Sequence, residues 1–152
     1  MAKKKSNQPK TIKNRRAKYD YELDDSFVVG LALTGAETKS LRMSHGHLQG
    51  AYVTVKDNEL WLINATITGS TGIPIEEQDQ TRSRKLLAKK REIEKMIEAK
   101  KSGMTIVPLD VLIGGRFIKL RISLARGKKR YDKRQTIKKR EEARRIGTAL
   151  KR

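Results

Sequence analysis

The stretch ARGKKRYDKRQTIKKR at residues 125–140 is dominated by Lys and Arg, and it contains one aromatic residue, Tyr131, next to one acid, Asp132. Cationic side chains neutralise phosphates and release their counterions, so such a run binds a polyanion with little sequence preference. An aromatic ring adds stacking on an unpaired base, and a carboxylate adds a hydrogen-bond acceptor. The composition therefore predicts a segment that contacts a nucleic acid.

Residues for other kinds of chemistry are sparse. The chain has no cysteine, and its two histidines, His45 and His47, flank a glycine in a polar stretch, where contact with solvent or RNA phosphate is expected. Glu76, Glu77 and Asp79 are predicted to lie in a solvated loop, because nothing nearby would bury a carboxyl group and raise its pKa. No glycine-rich phosphate loop and no Gly-x-Ser-x-Gly motif occurs. The sequence predicts no enzyme activity, no metal site and no cofactor.

The positive charge is concentrated at the two ends of the chain. Of a net charge of +19 over 152 residues, residues 1–20 contribute eight Lys or Arg against one Asp, and residues 126–152 contribute thirteen against three acids. The middle is nearly balanced, with fifteen cations and thirteen acids in residues 21–125. This segregation predicts a basic disordered arm over residues 1–18, an RNA-binding domain over 19–125 and a basic tail over 126–152.

Neither a membrane span nor a secretory signal is expected. No apolar run approaches the roughly 20 residues that a membrane-spanning helix needs. The basic N-terminus is not followed by an apolar segment, which a secretory signal requires. These features predict a cytoplasmic protein.

The first half of the domain reads as strands around one short helix. FVVGLAL at residues 27–33 predicts a buried strand. Thr34 and Glu37 have the spacing of a capping box for a helix over 35–42, which a loop over 43–50 follows. Strands are predicted over 51–55 and 60–67, and the intervening Asp57 and Asn58 suit a tight reversal.

The second half predicts a helix and a hairpin. After a long loop over 68–83, an apolar stripe that begins at Leu86 predicts a helix over 84–103, ended by Gly103. A Gly-Gly pair predicts a two-residue turn between strands over 104–113 and 116–125, with Pro108 at an edge or a bulge. The sum is a small OB-like β-barrel, closed or partly closed, with two or three flanking helices.

Five aromatic side chains are candidates for stacking on bases: Tyr19, Tyr21, Tyr52, Trp61 and Tyr131. Tyr52 and Trp61 fall inside predicted strands, so a place in the core is the stronger expectation for these two. Tyr131 stands in a run of cations, where a core contact is not expected.

Six segments identify a family resemblance: NRRAKYDYEL (14–23), GLALTGAETKSLR (30–42), ELWLINATI (59–67), RKLLAKKREIEKMI (84–97), IVPL (106–109) and LARGKKRYDKRQTIKKRE (124–141). In this order and spacing they resemble the SsrA-binding proteins, also called small protein B. The resemblance covers roughly residues 13–145. The combination of the G-x-E-x-K-S-L-R segment at residues 35–42 with the A-R-G-K-K-x-x-D-K-R segment at residues 125–134 is its most specific part.

The resemblance implies a protein that is not an enzyme. Its β-barrel would bind the tRNA-like domain of transfer-messenger RNA at the elbow, and the complex would enter stalled bacterial ribosomes. The tail would be disordered when free and helical in the empty mRNA channel of the small ribosomal subunit, at the decoding centre. Contact with the elongation factor Tu complex would be indirect, no membrane would be involved, and the RNA-bound protein would be a monomer.

The resemblance also implies two sets of site residues. The set expected to bind transfer-messenger RNA is Asn14, Arg15, Lys18, Glu37, Lys39, Ser40 and Arg42. The set expected at the decoding centre and in the mRNA channel is Gly127, Lys128, Lys129, Tyr131, Asp132, Lys133, Arg134, Lys138, Lys139 and Arg140. Glu37 could accept hydrogen bonds from base amino groups, or it could orient Lys39 and Arg42 beside its role in the helix cap.

Departures from the family pattern occur at His47, Gly50, Ala88 and Lys89, and they leave the contacts of that loop and helix open. Two other functions remain alternatives. A constitutive ribosomal protein with basic arms would also bind RNA. A membrane-surface module would use the tail as an amphipathic helix, but the stripe of Ala143, Ile146 and Leu150 lacks the Trp and Phe typical of such helices.

Overall fold

The computed structural model describes residues 11–128 and 130–150, with the backbone alone for 130–132. Its strands in chain order are β1 (Thr11–Lys13), β2 (Tyr21–Leu31), β3 (Gly46–His47), β4 (Tyr52–Lys56), β5 (Glu59–Ile63), β6 (Thr66–Ile67), β7 (Arg84–Leu87), β8 (Thr105–Leu112) and β9 (Lys119–Gly127). Its helices are α1 (Ala17–Asp20), α2 (Gly35–Arg42), α3 (Glu77–Gln80), α4 (Lys90–Lys101) and α5 (Arg130–Leu150).

The main sheet closes on itself. Antiparallel neighbours follow the order β8-β4-β5-β7-β2-β9, and β9 pairs with β8 again, so these strands form a ring. Strand β1 adds to β8 outside the ring, and β3 with β6 forms a separate pair. The predicted small β-barrel with flanking helices is confirmed. The one-turn helices α1 and α3 are additions that the sequence pattern did not predict.

Alternation along the strands fills the ring. Leu60 and Leu62 on β5, and Leu120 and Ile122 on β9, are each no more than 1% exposed and belong to one apolar cluster. Because successive side chains on a strand point to opposite faces, each strand can bury one face inside the ring. The intervening polar residues, such as Lys119 and Arg121, stay outside the core.

The two predicted turns have different outcomes. Asp57 and Asn58 join β4 to β5 with φ angles of 52° and 58°, as expected for a tight hairpin. The Gly-Gly turn was wrong: β8 and β9 pair up to Leu112 and Lys119, so residues 113–118 form a longer loop. Neither glycine has a positive φ, because the six-residue connection does not require one. The register shift directly after Pro108 is the predicted bulge.

The helix predicted over 84–103 was wrong in its first part. Residues 84–87 form strand β7, which pairs with β5 on one side and β2 on the other. Without this strand the ring would open, so tertiary pairing overrides the local helical pattern. Helix α4 begins at Lys90, where the Glu92 carboxylate accepts a hydrogen bond from the Lys89 N–H at 3.2 Å. It ends before Gly103, which takes a φ of 87° as the predicted stop.

Order begins nearer the N-terminus than the predicted domain boundary at residue 19. Strand β1 pairs with β8 from Thr11, and Ile12 packs against the core. Ala17 on α1 is 3% exposed. These apolar contacts explain why residues 11–18 belong to the domain rather than to the predicted disordered arm. Residues 1–10 lie outside the described part of the chain.

The long loop over 68–83 is folded more tightly than its composition suggested. Ser70 and Ile73 form an isolated bridge, and α3 occupies Glu77–Gln80. An added Cβ at Gly69 would lie 2.7 Å from the Ile73 carbonyl oxygen, so the chain packs on itself at that point. Glu76, Glu77 and Asp79 are exposed, as predicted.

Helix α5 follows strand β9 after a short link and is exposed over most of its length. Within residues 11–128 and 130–150, no helix combines the length and apolar character needed to cross a membrane. The same residues contain no cluster of three or more His, Asp or Glu side chains arranged to hold a metal ion.

Replacement of Leu86 by Ala is expected to lower the free energy of unfolding by about 2–5 kcal/mol, because Leu86 is 2% exposed inside the ring. Replacement of Leu87 by Ala is the matched control. That side chain is 57% exposed on the opposite face of β7, so a change within about 0.5 kcal/mol is expected. Urea denaturation of both variants measures the difference, and equal losses would contradict the strand assignment.

Candidate nucleic-acid interface

Helix α2 has the N-terminal cap that the sequence predicted. The Thr34 hydroxyl oxygen accepts a hydrogen bond from the Glu37 N–H at 3.2 Å, and the Thr34 N–H donates to Glu37 Oε1 at 3.1 Å. This reciprocal pair satisfies two backbone donors that have no partner within the helix. The capped helix turns Lys39 and Arg42 to solvent.

The carboxylate of Glu37 is buried and paired with two arginines. Its side chain is 3% exposed, and the Arg84 side chain that donates to Oε2 through Nε is fully buried. Arg82 donates to Oε1 through both Nε, at 3.2 Å, and Nη2. Both carboxylate oxygens are thus occupied by donors within the protein.

The guanidinium of Arg84 has a partner for each of its donor nitrogens. Nη1 donates to the carbonyl oxygens of Ala65 at 2.8 Å and Arg82 at 3.2 Å. Nη2 donates to the carbonyl oxygens of Asp79 at 3.2 Å and Gln80 at 3.0 Å, the last two residues of α3. A buried charge is tolerated when it is paired and fully hydrogen-bonded, and Arg84 meets both conditions.

The pKa of Glu37 is lowered by this environment. Burial alone would raise the pKa of the carboxyl group, but hydrogen bonds from Arg82, Arg84 and the Thr34 backbone outweigh that effect. Burial lowers the pKa of Arg84, and the Glu37 carboxylate opposes the change. Glu37 is therefore an anion at neutral pH, and it joins α2 to strand β7.

Two of the residues that the sequence predicted to bind RNA lie inside the protein. Glu37 is 2% exposed and Ser40 is fully buried, so neither faces solvent. The first expectation for Glu37, acceptance of hydrogen bonds from base amino groups, does not fit a carboxylate whose oxygens are already occupied. The second expectation, orientation of Lys39 and Arg42, stays a prediction, because the partners of the carboxylate are the Thr34 N–H, Arg82 and Arg84.

Arg42 crosses from α2 to the loop between β8 and β9. Its Nη1 donates to the carbonyl oxygen of Ile113 at 3.4 Å, and its Nη2 donates to that of Arg116 at 3.0 Å. Both nitrogens also lie 3.4 Å from the carbonyl oxygen of Gly115. Arg42 thus holds this loop against the end of the helix, while the residue itself stays exposed.

Three further predicted RNA-binding residues, Asn14, Arg15 and Lys18, line a surface groove of about 760 Å³ beside β1 and β8. Asn14 is fixed at its edge, with Nδ2 donating to the Pro108 carbonyl oxygen at 2.9 Å. Arg15 and Lys18 are exposed and line the same groove. Arg121 contributes another cation, although it is paired with Asp110 at 3.1 Å. The groove therefore has basic walls that are accessible to a phosphate backbone.

The root of the tail lies against α1. Lys133 Nζ is 3.4 Å from the Asp20 carboxylate and 5.9 Å from the centre of the Tyr19 ring. Arg16 contacts the same two side chains, at 3.5 Å from Asp20 and 5.7 Å from the ring centre. Helix α1 therefore links the groove to the start of α5.

Lys128 and Gly127 connect β9 to this root. Gly127 pairs with Tyr21 at the end of β9. The Lys128 N–H donates to the Asp20 carbonyl oxygen at 3.0 Å, and its Nζ donates to Thr136 Oγ1 at 3.3 Å. The predicted tail boundary at residue 126 thus falls inside a paired strand.

The remaining predicted tail residues lie at and beyond the start of α5. Arg134, Lys138, Lys139 and Arg140 are exposed along α5. Lys129 lies outside the described residues, and so do the side chains of Tyr131 and Asp132, although the backbone of both belongs to α5. Among the other aromatic candidates, Tyr52 is 47% exposed rather than buried as expected, and Trp61 is half-buried.

Sequence reasoning missed Asp20, Arg82 and Arg84 as parts of this region. One signal was available for the arginines. The helix cap uses Oε1 of the Glu37 carboxylate. If the helix packs against the domain and buries Glu37, the second oxygen, Oε2, also needs a donor, and an arginine can supply it. For Asp20 the i,i+4 spacing to Arg16 is a local signal, but its pairing with Lys133 has none, because Lys133 is supplied from the opposite end of the chain.

Comparisons with known proteins agree with one another. The family model described as SmpB protein matches residues 11–152. An SsrA-binding protein of Streptococcus agalactiae is 46% identical over 139 residues, covering 91% of this chain and 90% of its own length. An SsrA-binding protein of Ligilactobacillus salivarius is 43% identical over 152 residues, with 99% and 98% covered.

A solved structure is also similar. It is described as "tmRNA-SmpB: a journey to the center of the bacterial ribosome", and it matches with a TM-score of 0.65 and 34% sequence identity. The match covers 84% of this chain and 94% of that chain.

Replacement of Glu37 by Gln is expected to lower the free energy of unfolding at pH 7 by about 3–5 kcal/mol, because Arg84 would be left buried without its counter-ion. Since the folded-state pKa of Glu37 is lowered, its stabilising effect is present above the unfolded-state pKa of about 4.3 and is lost as the pH falls through the folded value. The difference in free energy of unfolding between wild type and variant should therefore become smaller in acid.

The matched control is Glu59→Gln, which removes a carboxylate from a half-exposed pair with Lys85. That change is expected to cost at most about 1 kcal/mol. Urea denaturation between pH 7 and pH 3 measures all three proteins. A loss of the same small size in Glu37→Gln would show that the buried pair does not hold α2.

Proposed function

Since the chain belongs to the SmpB protein family, whose curated members are named SsrA-binding proteins, we propose that it binds transfer-messenger RNA and delivers it to stalled ribosomes for trans-translation. The protein acts as an adaptor without catalysis, in the cytoplasm, and as a monomer when bound to RNA. The observation that carries this proposal is the division of its exposed cations between a groove on the folded ring and a projecting helix.

The groove suits the backbone of a folded RNA. Arg15 and Lys18 present charge to solvent, and neutralising phosphates there releases counterions, which supplies affinity. Asn14 and Arg42 use their donors on backbone carbonyl oxygens, so they act by holding the surface in shape. Lys39 projects from α2 as a further phosphate contact. We assign the tRNA-like domain of transfer-messenger RNA to this surface.

Helix α5 suits a narrow channel lined by RNA. It spans 21 residues, or about 32 Å at 1.5 Å per residue, and carries eight Lys or Arg against three acids. Ile146 and Leu150, in its apolar stripe, are 61% and 81% exposed, so the folded ring does not cover them. A basic helix of this kind is marginal alone in water, and binding in the mRNA channel of the small subunit would stabilise it.

The tail and the groove have separate tasks in this proposal. The groove determines RNA affinity, and the tail reports an empty decoding centre once the complex is on the ribosome. Gly127, Lys128 and Lys133 fix where the tail leaves the ring, through β9 and Asp20. Lys129, Tyr131, Asp132 and Arg134 follow at the decoding centre, and Lys138, Lys139 and Arg140 lie further along the channel. The elongation factor Tu complex is met indirectly, through the RNA.

Truncation after Lys128 is expected to abolish peptide tagging on stalled ribosomes while affinity for the tRNA-like domain changes less than about tenfold. This cut keeps β9 and its contact with Asp20, whereas a cut after Leu124 would remove paired strand residues and disturb the fold. A chain that ends at Leu150 is the control. The measurements are a reconstituted tagging assay and filter binding of the RNA. Tagging at the full-length rate by the shorter chain would reject the assigned role of the tail.

Arg15→Gln combined with Lys18→Gln is expected to weaken RNA binding and to reduce the slope of log K against log salt by about 2, since each lost phosphate contact removes about one unit. Lys101→Gln, an exposed cation at the end of α4, is the matched control and should leave the slope unchanged. Filter binding at several salt concentrations measures the slopes. An unaltered slope in the double variant would place the RNA elsewhere.

Sequencing of the RNA that copurifies from cells with this protein, carrying an affinity tag, tests the identity of its RNA partner. Enrichment of transfer-messenger RNA is expected. Equimolar recovery with all translating ribosomes, without that RNA, would identify a constitutive ribosomal protein instead.

A further inference from the structure

Phe117 is an aromatic side chain that the fold leaves in solvent. It lies in the loop over residues 113–118 and is 71% exposed, whereas its neighbour Ile118 is 5% exposed in the core. A single exposed apolar residue is ordinary on a protein surface. This one differs because hydrogen bonds from Arg42 hold its loop in place and cationic side chains lie beside it.

The loop that carries Phe117 is anchored on both sides. Strands β8 and β9 pair up to Leu112 and Lys119, directly before and after it. Arg42 donates hydrogen bonds to the carbonyl oxygens of Ile113, Gly115 and Arg116. The aromatic ring therefore projects from a supported loop, and little conformational freedom remains to be lost when a partner binds.

One cation lies over the ring, and two more lie beside the loop. The Arg116 guanidinium lies 5.6 Å from the ring centre, within the range of a cation–π contact. Arg42 and Lys119 are exposed at the two ends of the loop, and the loop itself contains no acid. An aromatic face bordered by cations is the arrangement that proteins use to stack an unpaired base while neutralising its phosphates.

The position of the loop joins it to the surfaces already described. Arg42 belongs to α2, which also presents Lys39. Leu112, the last strand residue before the loop, lines the basic groove with Arg15 and Lys18. Phe117 thus lies in a loop that Arg42 contacts directly and that follows a residue of the groove.

We propose that Phe117 is a base-stacking residue of the RNA interface and that an unpaired base of the tRNA-like domain occupies its ring face. This inference rests on the proposed function. The cationic border favours RNA over a protein partner, since charged residues are depleted at the centres of protein interfaces.

Phe117→Leu tests the proposal, because it keeps an apolar side chain and removes the ring. Affinity for the tRNA-like domain is expected to fall by about 5- to 150-fold, the range for loss of one stacked base. The slope of log K against log salt should not change, since no charge is removed. Phe117→Trp should retain or improve the affinity.

Leu87→Ala is the control, because Leu87 is a 57% exposed apolar residue on strand β7 and belongs to neither set of predicted RNA-binding residues. It should leave the affinity unchanged. Filter binding and sedimentation of each variant give the affinity, the salt slope and the oligomeric state.

Three results would overturn the assignment. A Phe117→Leu affinity within twofold of wild type would show that no base stacks there. An equal loss in Leu87→Ala would show a general effect of removing exposed apolar surface, and a change in oligomeric state would identify a contact between copies of the chain. Failure of the wild-type protein to bind the tRNA-like domain would instead reject the proposed function itself.

Discussion

The buried ion pair between Glu37 and Arg84 is the interaction on which the surface of this domain depends. It joins the first turn of α2 to strand β7, and the remaining donors of Arg84 hold the chain around α3 and Ala65. Removing two charges from water is costly, and the complete set of partners is what makes the arrangement tolerable. Because Glu37 is fixed from inside, Lys39 and Arg42 project from a helix whose position is defined.

Rigid support and exposed charge are separated along the chain. The ring of strands places its apolar residues inside, and among the cations outside it Arg42 is held by backbone carbonyl oxygens and Arg121 by Asp110. Helix α5 extends beyond this support, and Lys128 and Lys133 hold its start against α1. In the proposed function, the groove binds one RNA while the tail enters a second RNA environment, which is the division of labour that an adaptor to the ribosome needs.

Local patterns identified several parts of the structure correctly. The capping box of Thr34 and Glu37, the reversal at Asp57 and Asn58, and the stop at Gly103 each follow from the chemistry of a few neighbouring residues. The Gly-Gly turn failed because strand pairing ends earlier, and the loop then has room for ordinary backbone angles. The helix prediction for residues 84–87 was wrong because β5 and β2 can be joined in the sheet only by a strand between them. The apolar periodicity of the following helix does not change this requirement.

By itself the sequence determined the separation of charge into a nearly neutral centre and two basic ends, the β-rich class of the domain and its family. These properties depend on residue types and short spacings, which are present in the chain before it folds. Tertiary structure alone decided that Glu37 faces Arg84 across 47 positions, that Asp20 holds Lys133, and that Arg42 supports the loop of Phe117. Such contacts join residues distant in sequence, and their geometry exists only once closure of the ring has brought those residues together.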